Sequence, residues 1–274
     1  MKKVFAIFLL CLIFACSKVE QPQEVWINNA QNEKLYLQID GWQNAANHKL
    51  AFLQHGVASD MTHVAIQTAK KAFLDAGYMV VLFDSRYSLG KSDGEVQNVR
   101  LATFEDDLET VINWAKQQNF YSEPFALAGH SLGGASVLLY ANNHPQQVNT
   151  LIPIVPVISG QLWEEGCLKN MPDFCRKWQE EGVYEYRNPI KKAVIPYQVV
   201  EDAKSYNALT FSLPFKPRTL LVTAENDKII APQDIQNLAK YLNSESSIIL
   251  QSGHNFETEK SQTDLYQAIL DFIQ

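Results

Sequence analysis

The chain has few cysteines, no extended runs of basic residues and no apolar run long enough to span a bilayer. It carries four Cys among 274 residues, and Lys and Arg never follow one another for more than two positions. Because the net charge is −7 at pH 7, nucleic acid and anionic lipid headgroups are poor matches for its surface. Internal repeats and low-complexity segments are also absent from the sequence, which favours one globular domain.

The first residues have the pattern of a signal peptide. Two lysines precede an apolar run of twelve residues, Val4 to Ala15, which suits the hydrophobic region of such a peptide. The end of this run resembles the lipobox of bacterial lipoproteins, because a small residue stands directly before Cys16. That resemblance implies cleavage after residue 15, lipid attachment to Cys16 and a place in the bacterial cell envelope, at the outer membrane of a Gram-negative cell. Phe14 is bulky for its position, so ordinary signal-peptide cleavage and a retained anchor are the alternatives.

The remaining sequence suits one domain on a short tether. Residues 16–24 are predicted to be a polar tether, and residues 25–274 to fold as a single domain. Cleavage would leave 259 residues, which is ample for one α/β core. It would also remove two lysines and no acidic residue, which changes the net charge to −9.

Cys167 and Cys175 are the two cysteines that remain once the leader is removed and Cys16 is lipidated. An even pair in an exported protein predicts a disulfide. A metal site is a weaker alternative, since only two thiols are present and no His lies near them in the sequence. Two unlinked thiols are the remaining interpretation.

The apolar pattern predicts strands that alternate with helices, which is typical of a mostly parallel sheet covered by helices on both faces. Strands are expected at residues 35–39, 49–53, 78–83, 125–128, 151–155, 219–222 and 247–250, the first of them as an exposed or edge strand. Helices are expected at residues 60–76, 103–118, 132–143, 232–242 and 261–273.

Residues 129–133 read Gly-His-Ser-Leu-Gly, between a predicted strand and a predicted helix. A G-x-S-x-G sequence in that position is the pattern of a nucleophile elbow, a sharp turn that projects the serine into a pocket. A Cβ atom at either glycine would clash with the strand or helix that crosses close by. Ser131 is therefore the candidate nucleophile, at a helix N-terminus that favours developing negative charge.

Two further strand ends supply the partners of Ser131. Ligands bind at the carboxyl ends of strands in such sheets, and the chain order in this arrangement is Ser, acid, His. Asp227 follows the strand at 219–222 and is the predicted acid, with Glu225 as its nearest rival. His254 follows the last predicted strand and is the predicted base, since no other His lies downstream of Asp227.

These residues predict acyl transfer. His254 would accept the proton of Ser131 as the serine attacks a carbonyl, while Asp227 would orient the imidazole. The oxyanion would need two N–H donors, for which the backbones of Leu132 and Val57 are the candidates. His55, beside Val57, is expected to brace the loop rather than act as a base. The mechanism requires no metal and no organic cofactor.

The chain resembles the α/β-hydrolases, and within them the feruloyl/cinnamoyl-esterase-like and serine-aminopeptidase-like group. The resemblance covers roughly residues 48–273 and rests on segments 55–56, 83–86, 90–94, 129–134, 225–227 and 253–254. The turn at residues 87–90 departs from the usual pattern, as does Leu132, where cinnamoyl esterases often carry Gln. The resemblance implies a cap at about residues 157–210, a segment rich in aromatic residues. The cap would line the pocket, but most of its rings are expected to pack it against the core, with one or two in contact with substrate.

The sequence thus predicts an exported, lipid-anchored serine hydrolase that cleaves small-molecule carboxylic esters with a short, medium or aromatic acyl group. An amidase or peptidase with the same three residues is the enzymatic alternative. A binding lipoprotein that keeps the fold without catalysis is the alternative of a different class. The oligomeric state is left open by the sequence.

Overall fold

The computed structural model describes residues 21–47, 49–187, 192–249 and 251–274. The predicted signal peptide, Cys16 and most of the predicted tether lie outside these residues, as does Leu250 at the predicted end of the last strand. The strands are β1 Gln23–Asn28, β2 Lys34–Asp40, β3 Leu50–Gln54, β4 Met79–Asp84, β5 Phe125–His130, β6 Val148–Ile154, β7 Val183–Arg187, β8 Lys192–Pro196, β9 Arg218–Ala224 and β10 Glu245–Ile249. The α-helices are α1 Val64–Asp75, α2 Leu101–Ala115, α3 Leu132–Asn143, α4 Gly160–Asn170, α5 Pro172–Glu181, α6 Gln198–Ala203, α7 Pro232–Leu242 and α8 Glu259–Ile273.

The main sheet has eight strands in the order β1-β2-β4-β3-β5-β6-β9-β10. Strands β4, β3, β5, β6, β9 and β10 run parallel, and β2 pairs antiparallel to both β1 and β4. Every residue of β3, β4 and β5 is buried, which requires cover on both faces of the sheet. Helix α1 packs against α8, and α2 packs against α3. The mostly parallel α/β sheet predicted from the apolar pattern is confirmed.

The start of the domain differs from the prediction. Strand β1 begins at Gln23, so its first two residues belong to the sheet and not to the tether. Strand β2 was expected at an edge, but β1 occupies that edge and β2 is largely buried between β1 and β4. The polar, mostly exposed pattern of β1 explains why its sequence does not predict a strand.

The segment predicted to form a cap lies between β6 and β9. It contains α4, α5 and α6 together with a separate antiparallel hairpin of β7 and β8. Cys167 of α4 and Cys175 of α5 form a disulfide in the structure, with their Cα atoms 5.8 Å apart. This bond joins the two helices of the cap that follow β6.

A buried arginine connects the N-terminal hairpin to the rest of the sheet. Arg86, just after β4, is 4% exposed, and its guanidinium forms ion pairs with Glu33, Asp106 and Asp107. Glu33 lies in the turn of the β1-β2 hairpin, whereas Asp106 and Asp107 belong to α2. The contacts therefore hold three separate parts of the chain together. Among the helices of the described residues, none is long and apolar enough to cross a membrane.

Candidate active site

Ser131 occupies a strained turn between β5 and α3. Its φ of 55° and ψ of −115° lie in a region that non-glycine residues rarely adopt. Two backbone hydrogen bonds hold the turn, one from the N–H of Ser131 to the carbonyl of Ile154 and one from Val157 to the carbonyl of Ser131. The serine side chain therefore faces out of the sheet at the N-terminus of α3, as the G-x-S-x-G sequence predicts.

Close backbone contacts explain why glycine stands on either side of the serine. A Cβ at Gly129 would lie 2.3 Å from the carbonyl oxygen of Gly133, and one at Gly133 would lie 2.3 Å from that of His55. Gly56 is similarly confined, because a Cβ there would come within 3.0 Å of the Cβ of Ser131. The loop after β3 thus lies directly against the serine.

Asp227 and His254 meet at the ends of the parallel strands β9 and β10. The Nδ1 atom of His254 lies 2.7 Å from Oδ2 of Asp227, and the Asp227 side chain is fully buried. Since an ionised carboxylate only accepts hydrogen bonds, Nδ1 carries the proton and Nε2 is left as the basic nitrogen. The other oxygen of Asp227 accepts N–H groups of Ile229 and Ile230 at 2.8 and 3.0 Å, which fixes the carboxylate.

Glu225, the rival acid, has a different partner. Its Oε2 accepts the backbone N–H of Gln251 at 2.8 Å, and its side chain is exposed. The carboxylate that contacts the imidazole of His254 is therefore that of Asp227.

Leu132 and Val57, the residues predicted to donate backbone N–H groups to an oxyanion, both belong to the region around Ser131. Leu132 is the first residue of α3, and Val57 lines the same cavity as Ser131. His55 is fully buried and holds the loop, because its ring nitrogens contact the carbonyl of Gly56 at 2.7 Å and the N–H of Ser85 at 2.9 Å. Its position agrees with bracing of the loop.

A cavity of about 580 Å³ opens in front of Ser131 and His254. Five of the seven aromatic residues of the predicted cap line it, namely Trp163, Phe174, Trp178, Tyr184 and Tyr186. Most of these rings were expected to pack the cap against the core alone, but the alternation of β7 turns Tyr184 and Tyr186 to one face of the hairpin. The other wall includes aliphatic side chains. One of them is Leu89, which belongs to the turn where the sequence departs from the family pattern. The cavity is therefore mainly apolar and aromatic.

Two histidines at this site were not predicted from the sequence. His130 precedes Ser131, and its ring stacks on that of His63 with a centroid distance of 4.5 Å. Burial, followed by the neighbouring histidine rings, lowers the pKa of His63 from 6.5 to about 4, and burial likewise lowers that of His130 well below 6.5. Both rings are therefore neutral at pH 7. His130 lies inside the G-x-S-x-G motif, whereas the approach of His63 to it is set by the tertiary fold.

Comparisons with known proteins find similar sequences and similar folds. Two Escherichia coli proteins, each called an uncharacterised 31.7 kDa protein in the traX-finO intergenic region, are 32% identical to this chain over 120 residues. That match covers 43% of this chain and only 41% of each relative. The bovine mitochondrial palmitoyl-protein thioesterase ABHD10 is 24% identical over 230 residues, which is 79% of this chain and 70% of that protein.

Among solved structures, Est1E from Butyrivibrio proteoclasticus with bound ferulic acid is similar, with a TM-score of 0.72 and 20% identity over 90% of this chain and 97% of that one. At this identity the likeness shows the α/β-hydrolase fold alone. The sequence model of the family described as serine aminopeptidase, S33, matches residues 45–193, which is more than half of the chain. The chain therefore belongs to the serine aminopeptidase S33 family of α/β-hydrolases.

Proposed function

We propose that this protein is a serine hydrolase that cleaves carboxylic esters through an acyl-enzyme on Ser131. The observation that carries the proposal is the contact of 2.7 Å between His254 and Asp227, at the cavity into which the strained Ser131 turn opens. A serine hydroxyl needs a base to become a nucleophile at neutral pH, and His254, oriented by Asp227, is that base in this proposal.

In the first half of the reaction, Oγ of Ser131 forms a bond to the ester carbonyl carbon while Nε2 of His254 takes its proton. The carbonyl electron pair moves onto oxygen, and the N–H groups of Leu132 and Val57 stabilise that charge. When the tetrahedral species collapses, the bond to the alkoxy group breaks and His254 protonates the departing alcohol. The acyl group then remains on Ser131.

Water completes the cycle. His254 accepts a proton from water as its oxygen attacks the acyl carbon, and the bond to Oγ of Ser131 then breaks. The proton on His254 returns to Oγ, so the enzyme is regenerated and the carboxylic acid leaves. Asp227 keeps its charge throughout, and its role is to orient the imidazole and to stabilise the imidazolium.

The substrate we propose is an ester whose acyl group is apolar or aromatic. The cavity wall of aromatic rings favours burial of such a group, and its volume of about 580 Å³ accommodates a group larger than acetyl. Two similar proteins are described with an apolar or aromatic acyl group, since bovine ABHD10 is called a palmitoyl-protein thioesterase and the Est1E structure contains ferulic acid.

Hydrolysis of p-nitrophenyl esters of increasing acyl length, and of methyl ferulate, tests the proposal. We expect turnover by the wild type, a preference for apolar or aromatic acyl groups over acetyl, and loss of turnover in Ser131→Ala. Wild-type protein that is folded and hydrolyses none of these esters would contradict ester hydrolysis. A fluorophosphonate probe then separates the alternatives, because a non-catalytic binding protein would not be labelled at Ser131.

Cleavage of an N-terminal residue is the second candidate. The family is described as serine aminopeptidase, and the carboxylates of Asp60 and Glu257 lie at the cavity, where they could face a substrate ammonium group. Aminoacyl p-nitroanilides test it beside the esters. A kcat/KM for any of them above that for the best ester would favour this candidate.

We also propose that the protein is exported and anchored to the cell envelope through a lipid on Cys16. The support is the sequence alone, namely the apolar leader and the lipobox-like end before Cys16. Metabolic labelling with an alkyne fatty acid tests it, with Cys16→Ser as the variant and Cys11→Ser as the control. We expect label on the wild type and on the control only. Equal labelling of Cys16→Ser would contradict the anchor.

A further inference from the structure

His130 lies where three loops of the site meet. Its backbone precedes Ser131, its Nε2 atom is 2.9 Å from the carbonyl oxygen of His254, and its Nδ1 atom borders the loop after β3. A Cβ at Gly56 in that loop would come within 3.0 Å of Nδ1. One side chain therefore touches the loops of the nucleophile, the base and the candidate oxyanion donor.

The hydrogen bond to His254 fixes the tautomer of His130. A carbonyl oxygen only accepts, so Nε2 of His130 must donate, and in a neutral ring Nδ1 then has a lone pair and no proton. Within the part of the chain that the structure describes, Nδ1 is buried and has no hydrogen-bond partner. A buried polar atom without a partner destabilises a fold, so a reason other than stability is needed for this histidine.

The surroundings of His130 hold its ring in one position. Besides the stacked ring of His63, the ring of His254 lies 5.0 Å away and that of Phe256 lies 6.4 Å away, all measured between ring centroids. His130 itself is 3% exposed. The donor is thus fixed in direction, and the atom it reaches belongs to the backbone of the candidate base.

We propose that His130 is a positioning residue that sets the place of the His254 imidazole relative to Ser131 through its hydrogen bond to the His254 backbone carbonyl. The inference rests on the proposed function, because it concerns the same site. Asp227 orients the imidazole from the side of Nδ1, whereas His130 holds the main chain that carries it. Loss of this second restraint would let the main chain at His254 shift, which would move the imidazole relative to the serine.

Two amide variants test the inference, because they differ only in reach. In His130→Gln the amide nitrogen lies as many bonds from Cα as Nε2 of histidine, whereas in His130→Asn it is one bond shorter. We expect His130→Asn to lower kcat by about 10- to 100-fold with KM changed less than about threefold, as for a misplaced catalytic group. His130→Gln should recover kcat to within about fivefold of the wild type.

Ser136→Ala is the matched control. Ser136 lies on α3 shortly after Ser131, is fully buried and has no hydrogen-bond partner among the described residues, so its loss should leave kcat within about twofold of the wild type. His130→Leu, whose side chain has no donor, is the second variant and replaces His130→Asn if the latter does not fold. Folding of each variant is checked by near-UV circular dichroism and Tm.

A double-mutant cycle distinguishes positioning from a general loss of structure. In a His254→Ala background no imidazole is left to position, so His130→Asn should change the residual rate by less than about twofold. Full activity in both His130→Asn and His130→Leu, an equal loss in His130→Gln and His130→Asn, or an unchanged His130→Asn effect in the His254→Ala background would each overturn the inference. Absence of Ser131-dependent turnover in the wild type would instead overturn the proposed function.

Discussion

Asp227 and Glu225 are carboxylates on the same loop, and their hydrogen bonds give them different surroundings. Asp227 is buried against His254, whereas Glu225 is exposed and accepts a backbone N–H of Gln251. Replacing the acid by its amide keeps the shape and removes the charge that selects the tautomer of His254.

We therefore expect Asp227→Asn to lower kcat for an ester by roughly 10³- to 10⁴-fold. Glu225→Gln, the matched control on the same loop, should stay within about threefold of the wild type, since surface changes of this kind have small effects. Steady-state kinetics with one p-nitrophenyl ester measures both. A greater loss of kcat in Glu225→Gln than in Asp227→Asn would show that Glu225, and not Asp227, is the acid.

His63 predicts a pH dependence of stability. Its pKa is about 4 in the folded protein and near 6.5 when the chain is unfolded, so between these values only the unfolded state binds the proton. Acid therefore favours unfolding through protonation of His63, and the free energy of unfolding falls as the pH is lowered from about 6.5 to 4. The difference between the two pKa values corresponds to a loss of about 3 kcal/mol in the free energy of unfolding.

His63→Asn isolates this effect, because His63 is the N-cap of α1 and Asn is a favoured N-cap residue. We expect the free energy of unfolding of the wild type to fall relative to that of His63→Asn as the pH is lowered from 7 to 4.5. Urea unfolding at several pH values measures the difference. Parallel pH curves for the two proteins would contradict a lowered pKa of His63.

For single residues of the site, the sequence predicts those that lie within a short motif or directly after a predicted strand. Ser131 and its glycines belong to one pentapeptide, and Asp227 and His254 follow predicted strands in the expected order. The stacking of His63 on His130 joins residues far apart in the chain, and no local pattern encodes it. The interaction of His130 with the backbone of His254 is equally hidden from the sequence.

The hairpin of β7 and β8 brings two of the cap's five cavity-lining aromatic rings to the cavity. Tyr184 and Tyr186 alternate with Val183, Glu185 and Arg187, which are exposed on the opposite face. The hairpin should therefore affect the binding of large acyl groups and leave the reacting atoms in place.

Tyr186→Ala is expected to raise KM for p-nitrophenyl octanoate by about tenfold, because the acyl chain loses an aromatic surface worth about 1–3 kcal/mol. KM for the acetate should change less than about twofold, since a short acyl group does not reach the hairpin. Glu185→Ala, on the outer face of the same strand, is the control and should alter neither. Equal effects of Tyr186→Ala on both esters would place the acyl chain elsewhere.

Some elements can be predicted closely and others cannot. Helices α3 and α7 have the predicted bounds because Ser131 and Pro232 mark their beginnings and Asn243, at a φ of 53°, follows the end of α7. Helix α1 begins at Val64 rather than at residue 60, because Asp60 and Thr62 form a hydrogen-bonded turn first. In the cap, short elements depend on contacts with one another, so the sequence predicts only its extent.

For the whole molecule, the ion pairs of the buried Arg86 join the N-terminal hairpin to α2. Removing the guanidinium would leave the carboxylate of Asp107, which is fully buried, without a cationic partner. By contrast, the ion pair of Arg187 and Glu185 is exposed on both sides. The two arginines therefore contribute very differently to stability.

Arg86→Gln is expected to lower the free energy of unfolding by about 3–5 kcal/mol, as for a broken buried ion pair. Arg187→Gln is the control, and a change within about 0.5 kcal/mol is expected for an exposed pair. Urea unfolding followed by tryptophan fluorescence measures both. A loss in Arg86→Gln no larger than that in Arg187→Gln would show that the hairpin is held by other contacts.

The measurement that tests the central claim most directly is covalent labelling of the folded protein with a fluorophosphonate, followed by mass spectrometry of its peptides. The account predicts one adduct, on Ser131, that is absent in Ser131→Ala and forms at least about 10²-fold more slowly in His254→Ala. An adduct on another residue, or labelling that is as fast without His254, would contradict the account. So would folded wild-type protein that is not labelled at all.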